Sequence, residues 1–284
     1  MLATNTRTEA EEQLARQFEA VAGRLPGGSW MPAARKRAMG AFARAGLPHR
    51  RIEEWKYTDL RAGLKAAFPP ATCPQRKVDQ SMLVAVLGAE LAGLACIRHV
   101  LVNGRLVASM VPAGHEPGSS YHCVSLAGSL GQPGFEWIES HLGSESVDQA
   151  DAVMALNGAF VTDGVVLNVA EGARLHLPVH IVSIVDSAAP AAVATRNLIR
   201  IERGARATVI ESHVEVGGSI SQCTAVTEIR LAPAAAAGHV KHVAIGARSA
   251  HLGRIDAEIG GGAEWRGFQV TAGAGLLRNE SRVR

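Results

Sequence analysis

The chain has 284 residues, 47% of them hydrophobic and 19% charged, with a formal net charge of +3. This composition excludes a disordered chain, and so mild a positive charge does not by itself imply a nucleic-acid groove. Cys73, Cys96, Cys123 and Cys223 lie far apart with no Cys-x-x-Cys pair, which argues against a zinc site or an all-cysteine cluster site.

In chain order, Thr8-Glu-Ala-Glu11 reads as a capping box, and Leu14, Phe18, Val21 and Leu25 follow at helical spacing until Pro26-Gly27-Gly28 stops the helix. Pro32 opens a second helix that Gly46-Leu47-Pro48 closes. Arg35, Lys36, Arg37 and Arg44 crowd this helix, continued by His49, Arg50 and Arg51. The default reading is a solvated face, and the sharper one a surface for an anionic partner. Residues 51–60 then hold the densest aromatic and charged cluster of a chain that is only 4% aromatic. Trp55 and Tyr57 are expected to anchor the helical segment onto the next domain, with Lys56 laid over a ring. The alternative is ligand stacking with Lys56 on a phosphate. The apolar window Met82–Ile97 carries Glu90 and is too short to span a bilayer. The charged N-terminus does not read as a signal peptide, so the expected compartment is the cytoplasm, with reduced thiols.

Residues 97–102 and 105–110, joined by Asn103-Gly104, predict a β-hairpin with a type I′ turn. A looser stretch with Pro112, Pro117 and Pro133 follows, and a domain boundary is expected close to Asp151, giving domains 1–150 and 151–284. Beyond it a phrase repeats: Val169-Ala-Glu-Gly172-Ala173, Ile201-Glu-Arg-Gly204-Ala205, Leu231-Ala-Pro-Ala234-Ala235 and Ile259-Gly-Gly-Gly262-Ala263. Successive phrases are 32, 30 and 28 residues apart, and each precedes a β-rich run. This pattern predicts stacked β-coils, a mainly β solenoid behind an N-terminal helical and α+β domain. Val169, Ile201, Leu231 and Ile259 are expected to point inward at equivalent places on successive coils. Alternation in the second run puts Thr208, Ile210, Val214 and Val216 on one face, and Glu211, His213 and Glu215 on the other.

Eleven histidines raise the question of metal. His180 and His242 each lie eight residues after the fourth position of their phrase, His213 nine after, and a difference of one reverses the face of a strand. Glu211, His213 and Glu215 form an acceptable ligand trio on one strand face. Polar residues on an outward strand face are nevertheless the default, and His239, Lys241 and His251 are read likewise as surface or satisfied positions. Gly-x-Ser-x-Gly and the Walker phosphate loop are both absent, so no catalytic residue is assigned.

Four strings in order resemble the SufB/SufD family of iron–sulfur cluster assembly proteins, in its SufD-like form. They are Glu53-Glu54-Trp55-Lys56-Tyr57-Thr58, the segment from Leu156-Asn157 to Asp163-Gly164, the segment from Arg196-Asn197 to Glu211, and Leu276-Leu-Arg278-Asn279. The resemblance implies an N-terminal helical domain, a right-handed parallel β-helix, and a non-catalytic scaffold working with SufB-like and SufC-like subunits. It implies a cluster handled by the complex, and neither a membrane nor a nucleic-acid partner is expected. It further implies that the chain stops inside the β-helix, so that none of its cysteines or histidines inherits the family's cluster-site role and its hold on partners is weakened or lost. Self-association through the last coil is expected, because Leu276, Leu277 and the final strand are left available for pairing. Two other classes compete: a β-helix carbohydrate-active enzyme with two facing carboxylates, and a plain interaction module using the basic N-terminal helix.

Overall fold

The repeated phrase turns the chain because its fourth residue is left-handed, with φ of 70° at Gly172, 65° at Gly204, 61° at Ala234 and 67° at Gly262. Glycine adopts that conformation freely, whereas Ala234 holds it against a steric penalty of about 1 kcal/mol. In the computed structural model, which describes residues 7–72, 77–142 and 151–284, each such turn carries the chain from one sheet to a second sheet facing it.

The first sheet contains β3 (Tyr121–Ser125), β4 (Val165–Val169), β6 (Ala191–Ile201), β8 (Ser221–Leu231), β10 (Ala250–Ile259) and β12 (Leu276–Val283). The second contains β1 (Ile97–Val102), β2 (Arg105–Met110), β5 (Val179–Val185), β7 (Arg206–Glu215), β9 (Ala236–Ile245) and β11 (Glu264–Gly273). From β4 onward the chain alternates between them, and neighbours within each sheet pair in parallel, which makes a β-helix. Val169 aligns with Ile201, Ile201 with Leu231 and Leu231 with Ile259. The first three are buried and Ile259 packs against the same core, so the inward aliphatic column is as expected. Burying each such side chain stabilises by about 1.5–3 kcal/mol.

The expected hairpin is present, with Asn103 at φ 51° and Gly104 at 75°. The looser stretch contains β3, which pairs antiparallel with β4 and was not legible in the sequence. The boundary expected near Asp151 borders residues 143–150, which lie outside the described residues, as does Cys73.

Helices cover the outer faces. They are α1 (Glu9–Val21), α2 (Met31–Ala45), α3 (Leu60–Gly63), α4 (Gln80–Leu87), α5 (Ala89–Ala92), α6 (Leu126–Ser129), α7 (Glu136–Leu142) and α8 (Ala152–Phe160). Thr8 and Glu11 close the expected capping box on α1, and Gly46, at φ 68°, ends α2. From α4, Met82, Leu83 and Leu87 pack on Val182, Ile184 and Val214 of the second sheet. Helix α8 is held to the first sheet by Asn157, whose Nδ2 donates to the carbonyls of Thr195 (2.8 Å) and Thr224 (3.2 Å). Asp163 then fixes the entry into the β-helix, accepting from Ser125 Oγ, the amides of Ala127 and Gly164, and the amide of Leu106.

Two expectations for the helical region need correction. Arg35 is not part of a solvated face: it is 1% exposed and donates to the carbonyls of Ala159 and Pro26, joining α2 to α8, while Lys36, Arg37 and Arg44 are exposed. Trp55 and Tyr57 behave differently from each other. Trp55 is buried beneath the Arg278 guanidinium, 3.9 Å from its ring centroid, and Arg278 also donates to Glu54 O at 2.9 Å. Tyr57 is 90% exposed, with Lys56 Nζ 5.3 Å from its ring. Nor are both terminal leucines left available, since Leu276 packs against the cluster that contains Phe42, Leu60 and Leu156.

Trp55→Ala is therefore expected to destabilise the chain by about 3–5 kcal/mol and Arg278→Ala by about 0.5–2 kcal/mol. The double variant should fall short of the sum because the two residues share one contact. Tyr57→Ala should stay within about 0.5 kcal/mol of the parent. Urea denaturation of the four variants checks this; a Tyr57 effect equal to that of Trp55 contradicts it.

Candidate functional site

The inside of the β-helix has two unlike halves. Near the repeated turn it is apolar, with Val179, Val209, Ile199, Ile201, Ile229 and Leu231 in one cluster. Farther along the same strands it becomes polar. Glu211, His213, His239, Lys241 and His251 are each 5% exposed or less. Strand alternation is as the sequence predicts, but the faces are reversed. Glu211 reaches across to the opposite sheet, so the Glu211 and His213 face is the inside, while Thr208 is exposed and Val214 lies under α4. The reason is that helices cover both outer faces here, so an outward position need not be polar. Of the two readings of His239, Lys241 and His251, surface or satisfied positions, the surface one is overturned, while His239 is bonded through Nε2 to Glu211.

Glu211 organises the polar half. Its Oε2 accepts from Asn197 Nδ2 on β6 at 3.1 Å and Thr227 Oγ1 on β8 at 2.8 Å, and its Oε1 lies 2.6 Å from His239 Nε2 on β9. His213 Nε2 stands 3.6 Å away. Lys241 is the register partner of Glu211 on the next coil. Burial alone raises the Glu211 pKa, but the imidazoles of His213 and His239 more than offset it, so the carboxyl titrates well below its usual range. Lys241 is lowered to about 8 by burial, with Glu211 acting against that shift. The interior thus places a carboxyl bonded to imidazole next to a lysine on the neighbouring coil.

The His213 and His251 rings lie 4.7 Å apart, and neither ring nitrogen of His251 bonds to a described residue. Burial, then the charge of Lys241, lowers the His251 pKa well below its usual value. Burial also lowers that of His213. Gly253 leaves room for this group, since a Cβ there would run into Lys241 Nζ, Asn279 Oδ1 and His251 Nε2. Leaving buried polar atoms unpaired costs about 1–3 kcal/mol each, so this interior is not the one stability alone would choose.

The candidate ligand trio is not assembled. Glu215 accepts from Ser221 Oγ and the Gly246 amide, while the Glu211 carboxylate is already filled by Asn197, Thr227 and His239. Among the described residues no group of three or more His, Cys, Asp or Glu is arranged to hold a metal ion. The one-residue difference in offset does reverse the face. His180 and His242 meet on the outer side of the second sheet through Ser212, at 2.9 and 3.4 Å from its Oγ, while His213 points inward. This Ser–His contact is not a nucleophile and base pair, because Ser212 is fully buried and Arg98 abuts the other His180 nitrogen at 3.5 Å. Burial raises the thiol of Cys96, that of Cys123 strongly, and that of Cys223 to about 12. Cys223 and Cys123 are three strands apart in the first sheet and six residues apart along it, more than about 20 Å at the usual strand spacing and rise.

Asn197 and Glu211, which bond across the interior, are the second and last residues of one of the strings singled out in the sequence. Trp55 and Arg278, stacked at the surface, come from two others.

A model of the SufBD protein N-terminal region matches residues 8–181, and a model of the SufBD core domain of SUF system FeS cluster assembly matches residues 183–284. An iron–sulfur cluster assembly SufBD family protein of Synechocystis is 27% identical over 250 residues, covering 84% of this chain and 52% of the relative. The chain spans about half the length of that curated relative. No helix among the described residues is long and apolar enough to cross a membrane.

The interior predicts a definite pH response. Neutral His213 and His251 are favoured in the folded state, whereas in the unfolded chain they titrate near about 6.5. The unfolded state therefore binds more protons below that pH, and stability present above about 6.5 is lost as pH falls, by up to about 1.4 kcal/mol per pH unit for each imidazole. His99 and His180, lowered to about 4 by burial, add to the same slope. Melting temperature should fall between pH 7 and pH 5, and less steeply in His251→Leu. Parallel profiles for the two proteins contradict the assignment.

Proposed function

The chain belongs to the SufBD family, and from that premise we propose that it serves SUF iron–sulfur cluster assembly as a SufD-like, non-catalytic scaffold subunit in the cytoplasm, in complex with SufB-like and SufC-like subunits. The observation that carries this reading is that the two family models together account for residues 8–181 and 183–284, nearly the whole chain. Local chemistry supports a scaffold. The buried carboxylate is engaged on both oxygens, and no second carboxylate is among the groups bonded to it. At 1% exposure this carboxylate has no open face toward a sugar, which disfavours the paired acids of sugar hydrolysis. The described cysteines sit apart with thiols pushed toward the protonated form, whereas iron binds thiolate. On this reading the cluster is handled by the complex and not held by this chain alone.

Co-expression with SufB-like and SufC-like subunits, followed by native mass spectrometry and anaerobic iron and sulfide analysis, tests both parts. A ternary species should carry cluster, and the isolated chain should lose iron and sulfide on desalting. Absence of any ternary species overturns the scaffold role. Stoichiometric cluster retained by the isolated chain and lost on Cys223→Ser overturns the assignment of the cluster to the complex.

A further inference from the structure

Outside the β-helix, between the first sheet and the helical region, lies a cavity of about 80 Å³. Its floor owes its shape to small side chains on outward positions, Ala192 and Ala194 of β6 and Ala250 of β10. Leu14, Leu156 and Leu252 form walls, and residues 64–71 cross its rim as a strap. The strap is tied down at several points. Ala71 N donates to Ala192 O and Ala192 N to Pro69 O, while Gln222 bonds Phe68 N and Ala66 O. Gln17 Nε2 donates to Ala67 O.

The polar groups on the wall are thus committed to the protein itself. Gln17 and Gln222 hold the strap. Asn103 Nδ2 donates to the carbonyls of Thr72 and Asp186, and its Oδ1 accepts from Asp186 N. Thr162 Oγ1 is bonded to Gly104 O. Among the described residues no Asp, Glu, Lys, Arg or His lines the space, and the Cys223 thiol is bonded to Ser221 on the inner side. A ligand here meets mostly hydrocarbon, with the Thr224 hydroxyl, which accepts from Asn157 Nδ2 at 3.5 Å, also on the wall.

We propose that this cavity is a binding site for the end of an unbranched hydrocarbon chain, its polar head left at the rim. Apolar cavities of this kind stay dry and take apolar guests, and one of about 150 Å³ admits benzene. The present space is about half that, which suits a few methylenes better than a ring. Charged or hydrogen-bonding groups are rejected because entry strips their water without replacing it.

The test uses the full chain with 1-hexanol as probe and 1,6-hexanediol as control, followed by methyl resonances of Leu14, Leu156 and Leu252. Hexanol should shift these resonances saturably, and the diol, which would carry a hydroxyl to the apolar end, should bind at least about tenfold more weakly. Ala250→Leu should fill the floor and abolish the hexanol shifts while the melting temperature is kept. If that variant fails to fold, Ala194→Val takes its place. Absence of a saturable shift, equal binding of the diol, or hexanol binding unchanged in a folded filled variant overturns the proposal.

Discussion

The buried Glu211 carboxylate is the constraint on which the rest of the β-helix interior depends. An ionised carboxyl removed from water is tolerated only when its oxygens are met by donors and its charge by a counter-charge. Here Asn197 and Thr227 supply donors from the facing sheet, His239 a contact from the next coil, and Lys241 the opposite charge. Four strands in two sheets are therefore held in one register by a single side chain. Gly253 follows from the same constraint, because any larger residue would collide with Lys241 and His251. So does the apolar half of the interior, which concentrates the hydrophobic stabilisation at the repeated turn.

The motif strings make physical sense as pairs that meet. Asn197 and Glu211 join the two sheets from inside. Asn157 and Asp163 seat the incoming helix and the first strand, each through more than one hydrogen bond. Trp55 and Arg278, 3.9 Å apart, clamp the helical region to the last strand. Gly164 belongs to the same set, since its Cα passes so close to the Arg196 carbonyl that no Cβ fits. Residues distant in sequence thus close the joints between modules, leaving the repeats to propagate the fold between them.

Much of this was legible in the sequence because it depends on local signals. The capping box at Thr8, the turn at Asn103-Gly104 and the left-handed fourth residue of each phrase are decided within a few residues. The direction in which the polar face of β7 points was not legible. Alternation gives two faces but not which is inside, and the usual polar-outward assignment fails where α4 covers the outer side. The split between Trp55 and Tyr57 was hidden for a similar reason, because it depends on Arg278 arriving from the far end of the chain. Strand β3 was masked by the Pro, Gly and Ser around it and exists through its pairing with β4.

The inward orientation of the polar face is the central claim, and lysine acetylation read by mass spectrometry tests it most directly. Lys36 and Lys65 are exposed and Lys241 is 1% exposed. In the native chain at pH 8, Lys36 and Lys65 should be acetylated at ordinary rates. Lys241 should react on the order of a hundredfold more slowly, because modification waits for local opening. All three should become equivalent in denaturant. A native Lys241 that reacts as fast as Lys36 would place the Glu211 face in solvent and contradict the account.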